Sequence, residues 1–546
     1  MFSGQQRILC YSPNNFWRLH GMWELTILQG LKARGADVKL VMCDAQYKEC
    51  DIFWDSNARR SSLSCTVCQA RTSELASSMA MNFQWLGRYT TLENARIAEE
   101  WSQSLERDQL MTATYQDWPI GEWVRSSVHS SFRASRLDLT QPRVEEVYRN
   151  YVYSGLIACF GLTALLHDYK PDKMLLFNGR QSSTRVALEL ARRNNIRVIC
   201  HERGIVTETL QLFENDYVLA LTPFEKLWND WGPVALSTRE LEATRTHLKE
   251  RELGKKLGWT AFSPPPQDIS TLCEELQLEN NKPIWVLFTS SDDEVVSHKQ
   301  FRGPLGHFDW VLQTVDYAKN HPEIQLIIRV HPNTKGNKAV GNNEVQAAAF
   351  EELGKKLPPN VRMVGPEAAV SSYTLMDSAT VGLVYSSFAG LEMACKAKQV
   401  IVAGGCYISN LPFVRKVETS GSYLTILEEA RALPIRHTNL DTGRLAYRFA
   451  HAFFFRWNIP FPLVKMPTTT TGELAYKALT DLEPGKDASL DRICRILLEN
   501  DPVVIPPSLQ YKVRSSNTET AWLRKEFNYS EDDLNEPTPT KENNAA

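Results

Sequence analysis

Twice along this 546-residue chain, short apolar runs alternate with stretches of helical periodicity, and that double alternation restricts the fold more than any other feature. Arg7-Ile-Leu-Cys-Tyr leads into Ser12-Pro-Asn-Asn-Phe, then helical spacing from Trp23 to Ala33 with Gly35 as a stop, then Val38-Lys-Leu-Val-Met. Lys173-Met-Leu-Leu-Phe, helical spacing over 184–194, Ile196-Arg-Val-Ile-Cys and an apolar run expected as a strand from Tyr217 continue the series. Continuous apolar strands separated by helices are what a parallel sheet covered on both faces requires. A second set starts at Ile284-Trp-Val-Leu-Phe and continues through 310–320, 325–330, 361–364, 381–385, 389–397 and 400–403. Between the sets, 233–281 has the character of charged surface helices broken by Ser263-Pro264-Pro265-Pro266, which reads as a connection. The expected fold is α/β, with two tandem Rossmann-like domains. The first spans 1–235, a connection 236–282, the second 283–440, helices returning to the first domain 441–514, and a disordered tail 515–546.

Composition narrows the function. The 61 basic residues are balanced by 64 acidic ones, so there is no global field to hold nucleic acid, and an anionic ligand needs a local site. No apolar run approaches bilayer length, and the polar start at Met1–Arg7 lacks the pattern of a signal peptide. Eleven scattered cysteines, an odd number, point to reduced thiols and a cytoplasmic place. The aromatic segment 444–457 is interrupted by Arg448, His451 and Arg456, which favours packing on the first domain over contact with a membrane.

Candidate chemistry gathers at strand ends. Arg329-Val-His-Pro-Asn333 closes an apolar strand, which puts His331 at the carboxyl edge of a sheet, where doubly wound folds bind ligands. Val381-Gly-Leu-Val-Tyr-Ser-Ser-Phe-Ala-Gly-Leu-Glu392 reads as strand, polar turn and helix, with Ser386 and Ser387 beside unpaired N–H groups suited to an anion. Gly404, Gly405, Cys406 and Tyr407 follow the next strand at the same edge.

These residues resemble the nucleotide-binding half of bacterial capsular polysaccharide biosynthesis glycosyltransferases. The series Arg329-Val-His-Pro, Ser386-Ser387, Gly390-Leu-Glu392 and Val400-Ile-Val-Ala-Gly-Gly is similar in layout to motifs of GT-B sialyltransferases and Kdo transferases, which use CMP-activated sugars, and of CDP-glycerol polymerases. A cationic Arg329 and the His331 imidazole at that edge can meet phosphate oxygens, and the resemblance implies that His331 contacts the donor phosphate, that Ser386 and Ser387 hold phosphate or nucleotide, and that Glu392 fixes a ribose. It further implies a nucleotide-sugar donor, a saccharide or glycolipid acceptor, and peripheral association with membrane polysaccharide machinery. No Asp-x-Asp motif stands at a strand end, and Asp292-Asp293 is its nearest imitation, so a metal-independent enzyme with no catalytic cofactor is expected.

In the first domain, Ile199-Cys-His-Glu-Arg-Gly204 follows a strand and is expected as a loop facing the cleft, with His201 or Glu202 as the catalytic base. Its place resembles the His-Gly loop of the CDP-glycerol enzymes, although Glu-Arg intervenes. His20 and Glu24, four residues apart, Gly21, and Asn178-Gly-Arg180 are further candidates. Cys43, Cys50, Cys65 and Cys68 form a C-x6-C-x14-C-x2-C series that suggests a structural zinc ordering the loop 43–68. A CDP-alcohol phosphotransferase and a non-catalytic nucleotide-sugar-binding protein remain open alternatives on the same fold.

Overall fold

The computed structural model describes residues 5–14, 16–53, 62–255, 263–291, 296–332, 334, 346–435, 437–468 and 471–529. The strands of its large sheets in chain order are β1 Arg7–Ser12, β2 Asp37–Met42, β3 Phe83–Trp85, β4 Lys173–Phe177, β5 Arg197–Arg203, β6 Thr209–Glu214, β7 Ile284–Phe288, β8 Gln325–Arg329, β9 Val361–Val364, β10 Val381–Val384, β11 Gln399–Val402, β12 Arg415–Lys416 and β13 Ile459–Pro460. They form two large sheets, ordered β13-β6-β5-β4-β1-β2-β3 and β12-β11-β10-β7-β8-β9. Within each set the order is three-two-one-four-five-six, so the doubly wound fold expected from the alternation is present twice. The second sheet is parallel throughout. The core strands β1, β4, β7 and β8 are almost wholly buried because helices cover both faces.

The first sheet departs from expectation at one edge. No strand starts at Tyr217; instead β6 runs antiparallel to β5, and β13, from far along the chain, runs antiparallel to β6. His201 and Glu202 therefore lie within β5 and not in a loop.

The aromatic segment explains how the chain returns. A helix, Leu440–His451, continues into a π-helical turn, Ala452–Arg456, before β13. Phe453 and Trp457 meet Phe224 of the first domain, while Phe453 and Phe454 also meet Phe388 of the second. The aromatic rings are thus buried between two domains, and Phe455 is the exposed exception. Helix Ala488–Leu498 then lies on helix Arg18–Ala33, where Gly30 allows the approach: a Cβ there would stand 2.9 Å from Leu490. Among the described residues no helix is long and apolar enough to cross a membrane.

The tail is a correction. Residues 517–526 form a helix, and Glu519, fully buried, pairs with Arg448 at 2.6 Å. The polar composition that suggests disorder conceals Leu523 and a carboxylate whose partner lies 71 residues upstream. Residues 530–546, like Asp292 and Asp293, lie outside the described residues.

Candidate active site

The carboxyl edges of the two sheets face each other. His298, in the segment after β7, stacks on Tyr217 and lies 3.5 Å from Ser126 Oγ, which also accepts from Arg180 just past β4. Ligands of such folds bind where the strand order reverses, here between β1 and β4 and between β7 and β10.

At the first reversal a buried acid–base cluster is built from four elements. Helix Arg18–Ala33 starts beyond β1 and carries His20 in its first turn and Glu24 one turn on. Glu24 accepts from Ser12 Oγ at the end of β1 and lies 3.0 Å from His201 Nε2. His20 Nε2 stands 3.8 Å from Glu202, whose carboxylate also accepts from Asn178 Nδ2 at 2.6 Å and from the Arg203 N–H at 2.9 Å. Asn178 takes a left-handed conformation at φ +61°, which turns its amide toward Glu202 just past β4. Phe177, Trp17 and Trp23 wall the cluster. Burial holds the His20 imidazole well below its ordinary pKa, reinforced by His201 and Arg203, which favours its neutral form. His20 Nδ1 and His201 Nδ1 have no hydrogen-bond partner among the described residues.

At the second reversal, loops from three strands are tied together by side chains. Ser290 Oγ, after β7, accepts the N–H of Ser386 after β10 at 3.1 Å. Thr289 Oγ1 accepts the His331 N–H at 2.8 Å, so the β8 end joins the same edge. His307 accepts the Ser290 N–H at 3.2 Å and fixes that turn from the next helix. Arg329 gives Nη1 to the Gly365 carbonyl, while its Nε is buried without a partner among the described residues. Ser386 Oγ is likewise buried and unpartnered. Unmet polar atoms at a switch point suit a polar ligand.

Arg329, His331, Ser386 and Ser387 therefore share one edge, as expected. Glu392 does not join them: its carboxylate is engaged by Arg251 at 3.0 Å and by Tyr373 at 3.1 Å, an arrangement that ties the connecting helix Thr238–Glu252 to the second domain. Ser387 Oγ caps the Ala389 N–H. In the first domain the sequence candidates His201 and Glu202 split: His201 is sealed at 0 % exposure, while Glu202 reaches His20. Arg180 is held by Ser126 and Ser130 at 2.8 and 3.1 Å, and Gly21 lies inside the helix. Sequence reading missed Ser12 and His307, whereas the polar turn from Thr289 through Ser290 was expected either to wrap a donor phosphate or to cap the next helix. Ser12 sits at a strand end and was legible by position, whereas only packing brings in His307.

Cys65 and Cys68 lie one turn apart on helix Ser62–Ser78, and Cys43 follows β2. Burial pushes the Cys43 thiol up to about 11 and the Cys68 thiol to about 12. Among the described residues no group of three or more His, Cys, Asp or Glu, these cysteines and Cys50 included, is disposed to hold a metal ion.

No protein-family model matches the chain, and no curated protein matches it. Among solved structures it is similar to the Thermosulfurimonas dismutans KpsC beta Kdo 2,4 transferase, with 17% identity over 57% of this chain and 87% of the other and a TM-score of 0.35. The KpsC beta Kdo 2,7 transferase from the same organism shows 15% identity over 60% and 90%, with a TM-score of 0.32. The UDP-GlcNAc 2-epimerase of Methanocaldococcus jannaschii shows 10% identity over 82% and 98%, with a TM-score of 0.27. Transferases and an epimerase thus stand side by side among these structures.

Proposed function

We propose that this chain is a glycosyltransferase of the two-domain type, which takes a sugar from a nucleotide-activated donor on the second sheet and passes it to a hydroxyl presented to the first. The observation that carries the reading is the opposition of two switch points, one with a neutral buried base and one with unmet polar atoms. With its Nε2–H turned toward Glu202, His20 keeps Nδ1 as the proton acceptor. The acceptor oxygen attacks the anomeric carbon, its proton passes to His20, and the bond from that carbon to the donor phosphate breaks with its electron pair on phosphate. Arg329, His331 and the backbone N–H groups near Ser387 would stabilise that departing charge. Such a site meets the phosphate with protein cations, and we expect transfer to persist in excess chelator.

The motif layout further supports a growing capsular or other surface polysaccharide or glycolipid as acceptor, met at the cytoplasmic face of a membrane. The test is a thermal-shift screen against CMP, CDP, UDP, GDP and their sugars, followed by analysis of what turnover releases. A donor that raises the melting temperature and loses its sugar to an acceptor supports the reading. Phosphate retained in the product would mark phosphotransfer instead, and no stabilisation by any nucleotide would overturn donor binding.

A further inference from the structure

Beside the two switch points, the cleft holds a second space. Segment 298–303 crosses from one domain to the other: Gln300 Nε2 donates to Tyr217 Oη at 2.6 Å and to the Leu219 carbonyl at 3.1 Å, and the Gly303 N–H donates to Tyr385 Oη at 3.0 Å. Tyr385 precedes Ser386, so this crossing separates the donor edge from a groove of about 730 Å³ on its other side. Both domains line that groove, Asp216 and Glu225 from the first and Arg302, Gly404, Asn410 and Lys416 from the second.

The chemistry of the groove is that of a hydroxyl-rich ligand. Its walls are chiefly polar, and the face of Tyr217 that would be an aromatic platform is covered by His298 on one side and Arg185 on the other. A nucleobase therefore finds nothing to stack on. Asn410 spans the groove, donating to Glu225 at 2.6 Å and accepting from Lys416 at 2.9 Å, and so offers an exchangeable set of donors and acceptors. Arg302 is exposed; its backbone N–H donates to the Lys299 carbonyl, and its guanidinium has no hydrogen-bond or ion-pair partner among the described residues. An unpaired guanidinium at the edge of a polar groove is suited to an anionic group on the ligand. The wall of the groove is tied to the acid–base cluster by backbone: the Val218 N–H, next to Tyr217, donates to the carbonyl of Asn178, whose side chain holds Glu202.

We infer that this groove is a binding site for an acidic oligosaccharide, the part of the acceptor chain remote from the reacting hydroxyl, an assignment that rests on the glycosyltransferase reading. Its volume lies within the range of ligand pockets and leaves room for more than one sugar ring. The experiment is a glycan array of acidic and neutral oligosaccharides of graded length, probed with the full chain and with Arg302→Ala and Asn410→Ala, with transfer from nucleotide-sugars measured on the same glycans. The expected result is retention of acidic glycans of two or more residues, with affinity reduced about tenfold or more in Arg302→Ala. The inference is overturned if no acidic glycan is retained, or if both variants retain glycans as the wild type does. Transfer that is indifferent to both variants would leave the enzyme reading standing and remove the groove. Groove-dependent binding with no turnover of any donor would do the reverse.

Discussion

Nε2 of His20 faces the carboxylate of Glu202 at 3.8 Å, and one helical turn on, Glu24 holds His201 at 3.0 Å. Two residues four apart on a helix thus cross-pair with two neighbours on a strand, which closes a polar cluster beneath the cleft. The outer pair keeps a trace of exposure, 7 % for His20 and 3 % for Glu202, and the inner pair is sealed.

Replacing His20 by Gln is expected to lower transfer by about 10²–10⁴-fold while leaving nucleotide binding unchanged. Glu202→Gln should give a smaller loss, because it frees the imidazole tautomer without removing the base. Rates under donor saturation, with thermal shift by nucleotide as the control, check this. Full activity in His20→Gln would move the base elsewhere.

Ser386→Ala removes a hydroxyl that has no partner among the described residues, so the free protein should keep its stability. Nucleotide affinity should fall by about 1 kcal/mol, roughly fivefold. Calorimetric titration against melting temperature separates the two effects. A loss of stability with unchanged affinity would assign the hydroxyl a purely internal role.

Acid should destabilise this chain through its buried histidines. Burial lowers His129 to about 4, and lowers His20 and His298 well below the ordinary value. Between pH 6.5 and those folded values the unfolded chain binds more protons, so stability is complete above about 6.5 and falls as pH drops toward 4. His129 alone should contribute a loss of about 3 kcal/mol over that window. His129→Gln, which can still donate to the Ala134 carbonyl, should flatten the slope of stability against pH. An unchanged slope would place the effect on other groups.

Glu519→Ala leaves the Arg448 guanidinium buried without its charge partner, and breaking such a pair costs about 3–5 kcal/mol. Denaturant unfolding of this variant, and of a chain ending at Ser515, should show comparable losses. A melting curve identical to wild type would mean that the tail helix does not dock.

Much of this was legible without coordinates. Apolar runs such as Lys173–Phe177 and Ile284–Phe288 read as buried strands because a strand covered on both faces has no polar alternation to hide. Strand β6, between β5 and the edge strand β13, was not legible, since Thr209–Glu214 alternates polar and apolar residues and its partner β13 lies some 250 residues away. The tail was misjudged because composition averages over a segment, whereas docking needs only Leu523 and Glu519 to find their places. Glu392 sits where a ribose ligand was expected, yet Arg251, from a distant helix, takes its charge.

Sequence alone determined the two doubly wound sheets and which strand ends carry polar residues, because periodicity and the chemistry of a turn are local properties. Tertiary structure decided which of those residues cooperate. Glu24 and His201 lie 177 residues apart, and only the parallel stacking of β1, β4 and β5 brings a helix and a strand end to one polar point. Burial then sets the charge of His20, and no reading of neighbours along the chain contains the solvent it has lost.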